Sequence, residues 1–90
     1  MAEPDLEAAH RHSDHHRAEV EASAVCGCFY CLAVYTPPTI TEWVDEGDGG
    51  ETAVCPACGV DAVLGDASGL PITDGFLRAM KRRWFEAEPL

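Results

Sequence analysis

The chain has 90 residues, five cysteines and a formal charge of −10. That length suits one domain rather than two, and near this size a metal or disulfides commonly supplement an apolar core. No run approaches the roughly 18–20 consecutive apolar residues of a membrane-spanning helix, and the acidic first seven residues lack the basic start and apolar run of a signal peptide. The expected location is the cytoplasm, where thiols stay reduced and paired cysteines point to metal or catalysis more often than to disulfides. The odd cysteine count also argues against a complete disulfide framework.

The charge is unevenly spread. Residues 18–77 contain no Lys or Arg but ten carboxylates, and all six basic residues, Arg11, Arg17, Arg78, Lys81, Arg82 and Arg83, lie outside that stretch. Four thiolates around one divalent ion add about two more negative charges. Such a surface repels phosphate, which makes the middle of the chain a poor nucleic-acid platform. It reads as a solvated surface or as a face for a basic protein partner.

In chain order, residues 1–12 are polar without a sustained apolar period and are expected to form a flexible start. Ser13 or Asp14 caps an expected N-terminal helix running to about Ala22. Residues 32–35 read as a short strand that Pro37 and Pro38 end. Thr39 and Glu42 match a capping box, with Ile40, Trp43 and Val44 at helical spacing, so a short middle helix is expected over residues 40–46. Residues 47–50 form a Gly-rich turn. Residues 52–54 and 60–64 read as the two strands of a hairpin. A turn over residues 65–69 follows, and Thr73 or Asp74 caps a final helix to about Phe85, with Phe76, Leu77, Met80 and Trp84 on one face. Its C-terminal end carries Arg78, Lys81, Arg82 and Arg83, where positive charge suits the helix dipole. The expected organisation is a single zinc-binding domain over residues 13–86, with flexible ends at 1–12 and 87–90.

The chemistry lies in the spacing C-x2-C-x23-C-x2-C, formed by Cys28, Cys31, Cys55 and Cys58. Two intervening residues let the backbone turn tightly enough for both sulfurs of a pair to converge, and two such knuckles supply the tetrahedral thiolate set that suits zinc. Gly59, directly after the second pair, fits a turn that needs positive φ. Iron is the competing metal, since rubredoxin-like sites use the same pairs. Four protein ligands close the site, whereas a catalytic zinc keeps a position open, so the expected role is structural.

Cys26 is left over. It is read as a small buried residue, as an alternate ligand in place of Cys28, or as a redox thiol able to attack a ligand sulfur. The histidines His10, His12, His15 and His16 read as a polar surface. His12 and His16, at i and i+4, are also a candidate pair for a second metal, and His16 is the candidate to donate a hydrogen bond to a ligand sulfur. A glutaredoxin-like redox pair is excluded because Pro37 and Pro38 arrive too soon after Cys31 for the helix it needs. An HNH-type nuclease is disfavoured because all four histidines precede the cysteines. Trp43, Phe76, Trp84 and Phe85 are expected to pack the helices onto the strands, or, for Trp84 and Phe85, to present an exposed anchor to a partner.

The blocks His16-Arg17, Cys26-Gly27-Cys28-Phe29-Tyr30-Cys31, residues 40–43, Cys55-Pro56-Ala57-Cys58-Gly59, Pro71-Ile72 and Trp84-Phe85 together resemble a family of small bacterial zinc-ribbon-like proteins usually labelled only as cytoplasmic. The resemblance covers roughly residues 13–85. It implies a small metal-stabilised α+β domain of zinc-ribbon or treble-clef-like type in a bacterial cytoplasm, and it supplies no activity. The expected function is a non-enzymatic adaptor that binds another protein, through the basic final helix with Trp84 and Phe85 or through the acidic face. The alternatives are a thiol switch using Cys26 and a nucleic-acid contact through Arg78, Lys81, Arg82 and Arg83.

Overall fold

A computed structural model describes residues 5–86; of the expected flexible ends at 1–12 and 87–90, residues 1–4 and 87–90 lie outside the described residues. Among those described, three helices and five short strands form a small α+β fold: α1 (Leu6–His10), α2 (Arg17–Glu21), β1 (Cys26–Cys28), β2 (Val34–Tyr35), β3 (Trp43–Asp45), β4 (Glu51–Ala53), β5 (Val63–Gly65) and α3 (Asp74–Trp84). The strands make two antiparallel sheets, one ordered β2-β1-β5 and the other pairing β3 with β4.

The N-terminal region departs from expectation. The segment expected to start loosely carries α1, capped by Asp5, whose carboxylate accepts from the Glu7 and Ala8 amides. Ala9 is buried there, and the Trp84 indole N–H donates to the Leu6 carbonyl. The expected helix from Ser13 to Ala22 shrinks to α2, because Asp14 is extended and His15 takes φ +50°, a left-handed value that breaks the helical path. Thin apolar content across residues 13–22 left nothing to hold a longer helix against the sheets.

The expected middle helix over residues 40–46 is a strand. Thr39 does not act as an N-cap. It closes a 3-10 turn at Pro37–Thr39, where its hydroxyl donates to the Thr36 carbonyl. Trp43, Val44 and Asp45 instead pair with Ala53, Thr52 and Glu51. The intervening loop decides the outcome. Asp45 and Asp48 each accept from the amide two residues on, at Gly47 and Gly50, while Gly47 and Gly49 adopt φ +86° and +94°. That loop closes a hairpin, and Trp43 and Val44 suit a strand at least as well as a helix.

The expected pairing of residues 52–54 with 60–64 is also corrected. β4 pairs with β3, whereas β5 pairs with β1 in the register Cys26↔Gly65, Gly27↔Leu64, Cys28↔Val63. The 52–54 and 60–64 segments flank one knuckle but belong to different sheets. The final helix forms as expected, with Thr73 as N-cap accepting from the Phe76 amide. Its buried face, Phe76, Leu77 and Met80, packs with Val20, Val63, Leu64 and Cys26 in the core.

Ser23 ties α2 to the strand that leaves the second knuckle. Its hydroxyl donates to the Glu19 carbonyl and accepts from the Ala67 amide, both at 2.9 Å. A Cβ on Gly65 would sit 2.2 Å from that fixed oxygen, whereas one on Gly75 in α3 would meet nothing within 4 Å. We therefore expect Gly65→Ala to destabilise the metal-loaded protein by about 1–3 kcal/mol through overpacking. Gly75→Ala should stabilise it by up to about 1 kcal/mol through helix propensity. Urea unfolding midpoints of the two variants check both signs.

Candidate metal centre

The two Cys-x-x-Cys units fold as the same knuckle. In the first, the Cys28 amide donates to the Ala33 carbonyl and the Leu32 amide to the Cys28 carbonyl. In the second, the Cys55 amide donates to the Val60 carbonyl and the Gly59 amide to the Cys55 carbonyl. The residue after each second cysteine is left-handed, at φ +69° for Leu32 and +80° for Gly59. Each leading sulfur faces amides inside its own turn: Cys28 Sγ lies 3.3 Å from the Tyr30 nitrogen and 3.5 Å from that of Cys31, and Cys55 Sγ lies 3.3 Å from that of Ala57. Amides aimed at sulfur favour the thiolate, the form that binds metal.

The knuckles meet through their sulfurs. All five cysteines are free thiols. Cys28 Sγ is 3.7 Å from Cys58 Sγ, Cys31 Sγ is 3.7 Å from Cys55 Sγ, and all four sulfurs lie within 4.8 Å of one another. A disulfide needs about 2.05 Å, so these are not bonded pairs. A tetrahedral ion with metal–sulfur bonds of about 2.3 Å places its ligands about 3.8 Å apart. The four-cysteine set fits such an ion. Cys28 and Cys55 are buried, Cys58 is half-buried and Cys31 reaches solvent.

The thiols differ in acidity before any ion binds. Burial pushes Cys28 well up and raises Cys58 as well. Burial also pushes Cys55 up, but the Tyr35 hydroxyl, the Ala57 and Cys58 amides and the Cys31 side chain outweigh it and bring the thiol down to about 7. Tyr35 borders the cysteine cluster, a neighbour that the sequence did not mark. Its hydroxyl is buried and reaches no partner at full hydrogen-bond geometry, yet it approaches the Cys55 sulfur closely enough to affect its acidity. Thiolates at the loaded site would give this orphaned donor an acceptor. The signal was faint, since nothing in residues 32–35 marks which way a strand tyrosine turns.

The other candidates fall elsewhere. Cys26 lies outside the ligand set. It is fully buried in β1, with its thiol 4.0 Å from the Val20 carbonyl, and burial, then the nearby Asp66, raise its pKa to about 11. The alternate-ligand reading is therefore corrected, because the sulfurs that converge are those of Cys28, Cys31, Cys55 and Cys58. His16 does not reach a sulfur. Its Nδ1 lies 2.5 Å from the His12 carbonyl and its Nε2 accepts from the Ala53 amide at 3.0 Å. Its own amide donates to the Glu51 carbonyl. Ring and backbone together cover the free edge of β4, as a neighbouring strand would. His12 faces Glu19 rather than His16, and among the described residues the four cysteines are the one group placed to hold a metal ion.

On the final helix, Arg78 pairs with Asp74, Arg83 stacks on Trp84 and approaches Glu7, and Lys81 sits 5.6 Å from the Tyr30 ring centre. Arg82 is exposed. The Trp84–Phe85 pair splits. Trp84 is half-buried against His10 at 4.1 Å, while Phe85 is 44% exposed beside Tyr30. No helix among the described residues is long and apolar enough to cross a membrane. No protein-family model, curated protein or solved structure matches this chain.

Two outcomes follow from this geometry. Cys26→Ser should keep the metal stoichiometry unchanged, whereas Cys55→Ser should lower it to near zero. Elemental analysis of the purified variants measures both. The second concerns His16, whose pKa is lowered, chiefly by burial. Below about pH 6.5 the unfolded chain takes up a proton at this ring that the folded chain refuses. Its contribution to stability is thus full above the unfolded pKa and declines as pH falls towards the folded one. In His16→Asn, the fall in stability between pH 7.5 and 5.5 should be shallower than in the parent, as read from denaturant midpoints.

Proposed function

We propose that this chain is a bacterial, cytoplasmic adaptor of zinc-ribbon type, with one structural zinc and no catalytic activity, that binds another protein. The observation that carries the reading is the closed set of four converging sulfurs. With four thiolate ligands in place, a tetrahedral ion has no open position for water or substrate. Zinc is the metal of choice because it is redox-inert and takes four cysteine thiolates in structural sites. Iron would fill the same geometry and is the competing outcome of the test. The ribbon assignment, rather than a treble clef, is supported by the path of the chain. The first knuckle turns β1 into β2, the second feeds β5 back onto β1, and α3 starts well after Cys58 instead of at a knuckle. The bacterial setting rests on the sequence resemblance alone.

The alternatives draw less support. A thiol switch needs an accessible thiolate, and Cys26 is buried, which pushes its thiol pKa up. A phosphate contact through the final helix competes with the chain's own carboxylates for Arg78 and Arg83.

The purified protein should hold one zinc per chain and be colourless. A thiolate-to-iron absorption band would replace zinc with iron. Removing the metal with a strong chelator should abolish most secondary structure by circular dichroism, because the binding energy of such sites, on the order of 10 kcal/mol, is largely folding energy. Full secondary structure in the metal-free protein would refute a structural role. Affinity capture from native cells, followed by reconstitution from purified components, should yield a stoichiometric protein partner. Repeated failure under several conditions would overturn the adaptor reading.

A further inference from the structure

Two concavities of the described surface differ in what they leave free. The larger, about 540 Å³, is lined by Arg17, Trp43 and the Pro37–Pro38 turn. Its one cation is spent within the chain, since Arg17 stacks 4.6 Å over Trp43 and pairs with Glu21 and Glu51 at 3.0 Å. The smaller, about 380 Å³, lies where α1, the first knuckle and the end of α3 meet. That volume falls within the roughly 300–1,000 Å³ of sites that take small groups.

Its walls combine two chemistries. Phe29, Trp84 and Phe85 are aromatic, and Asp14, Glu46 and Asp61 are carboxylates. Phe29 is buried and supports Phe85 at 5.7 Å between ring centres. Trp84 is already stacked by His10 and by Arg83, so the free aromatic surface is that of Phe85. The carboxylates are not neutralised by the protein's own strong cations. Among the described residues, Asp14 meets only His15, at 3.4 Å, and Glu46 accepts from the Thr52 hydroxyl. Asp61 is exposed with no ion pair among the described residues.

An aromatic surface beside uncompensated carboxylates suits a long cationic side chain. The aliphatic stem of a lysine or arginine packs on the ring, while the head group meets the aromatic face or the carboxylate. The geometry points to this groove as the docking site for a lysine or arginine side chain on a basic segment of a partner protein. This rests on the adaptor reading and names the face and the partner's chemistry. Charge complementarity selects the occupant: an acidic or phosphorylated segment is repelled, and a purely apolar one removes water from the Asp61 charge without offering it a cation.

The test uses the full metal-loaded chain and a ten-residue lysine- and arginine-rich peptide, with a glutamate-rich peptide of equal length as control. Amide shifts on titration should map to His10, Phe29, Asp61 and Phe85, and the acidic peptide should shift nothing. Asp61→Asn combined with Phe85→Ala should weaken peptide binding roughly tenfold. Glu42→Gln, which removes one exposed charge away from the groove, should change it by less than about twofold. If Glu42→Gln weakens binding as much as Asp61→Asn, the attraction is only the diffuse field of an acidic protein and the proposal falls. Shifts mapping elsewhere also overturn it. Spermidine binding at the same residues as tightly as the peptide would assign the groove to a small organic cation and overturn the peptide assignment. A reconstituted partner whose affinity ignores Asp61→Asn with Phe85→Ala keeps the adaptor reading and sinks this site. Peptide binding at the groove with no partner found does the reverse.

Discussion

The rest of the structure depends on the approach of two knuckles 23 residues apart in sequence, whose four sulfurs lie within 4.8 Å of one another. The strands are two or three residues long, too short to hold a sheet unaided. Each knuckle closes its own turn with main-chain hydrogen bonds, so what it supplies locally is direction rather than stability. β1 converts that direction into a fold. It ends at Cys28, pairs with β2 on one side and β5 on the other, and β5 comes from the second knuckle. An ion held by both knuckles therefore clamps the sheet at the point where its two halves meet. Gly27 lets α3 lie close on this strand, since a Cβ there would come within 2.8 Å of Leu77 and 2.9 Å of Ile72.

The parts of the fold that could be read from sequence were those fixed locally. The ligand spacing depends on the covalent chain, and the start of α3 depends on Thr73 three residues before Phe76, so both were visible. The middle segment was not, because Thr39 and Glu42 satisfy a helical cap pattern as well as a strand entry. Only the pairing of Trp43 with Ala53, a non-local event, chooses between them. The same holds for the segment at 60–64. Its apolar run shows a strand but not its partner, and β1 lies more than thirty residues away. Of the four histidines His16 lies nearest the first knuckle in sequence, which makes it the candidate neighbour of the sulfurs. Its actual partners, the His12 carbonyl and the Ala53 amide, could not be named without knowing that α2 lies along β4.

Within the site, the likeness of the knuckles was only half legible. Gly59 announces a left-handed turn residue, since it pays no Cβ penalty there. Leu32 occupies the same place in the other knuckle at φ +69°, a conformation that costs an L-residue about 1–2 kcal/mol. Its side chain packs against the core, which offsets part of that cost. The two turns are alike because the chain must bring a second sulfur back to the first, and the residue that follows is bent to whatever φ this requires. Sequence shows that demand where glycine meets it and hides it where packing does.

The aromatic surface and the metal centre form one physical unit. Phe29 lies inside the first knuckle, between Cys28 and Cys31, and its amide donates to the Ala62 carbonyl just before β5. Both residues line the smaller cavity, so its floor is built from chain that the converging sulfurs position. Tyr30, from the same knuckle, meets Phe85 edge-on at 4.9 Å, and Phe85 follows the last turn of α3. The helix end is therefore placed by contacts with the knuckle as well as by its own core face. Opening the knuckle would release Phe29 from beneath Phe85 and remove the floor while leaving the carboxylates in place. An acidic surface alone attracts cations without selecting among them. Shape at this face comes from the rings, and the rings are held by the turn that holds the sulfurs.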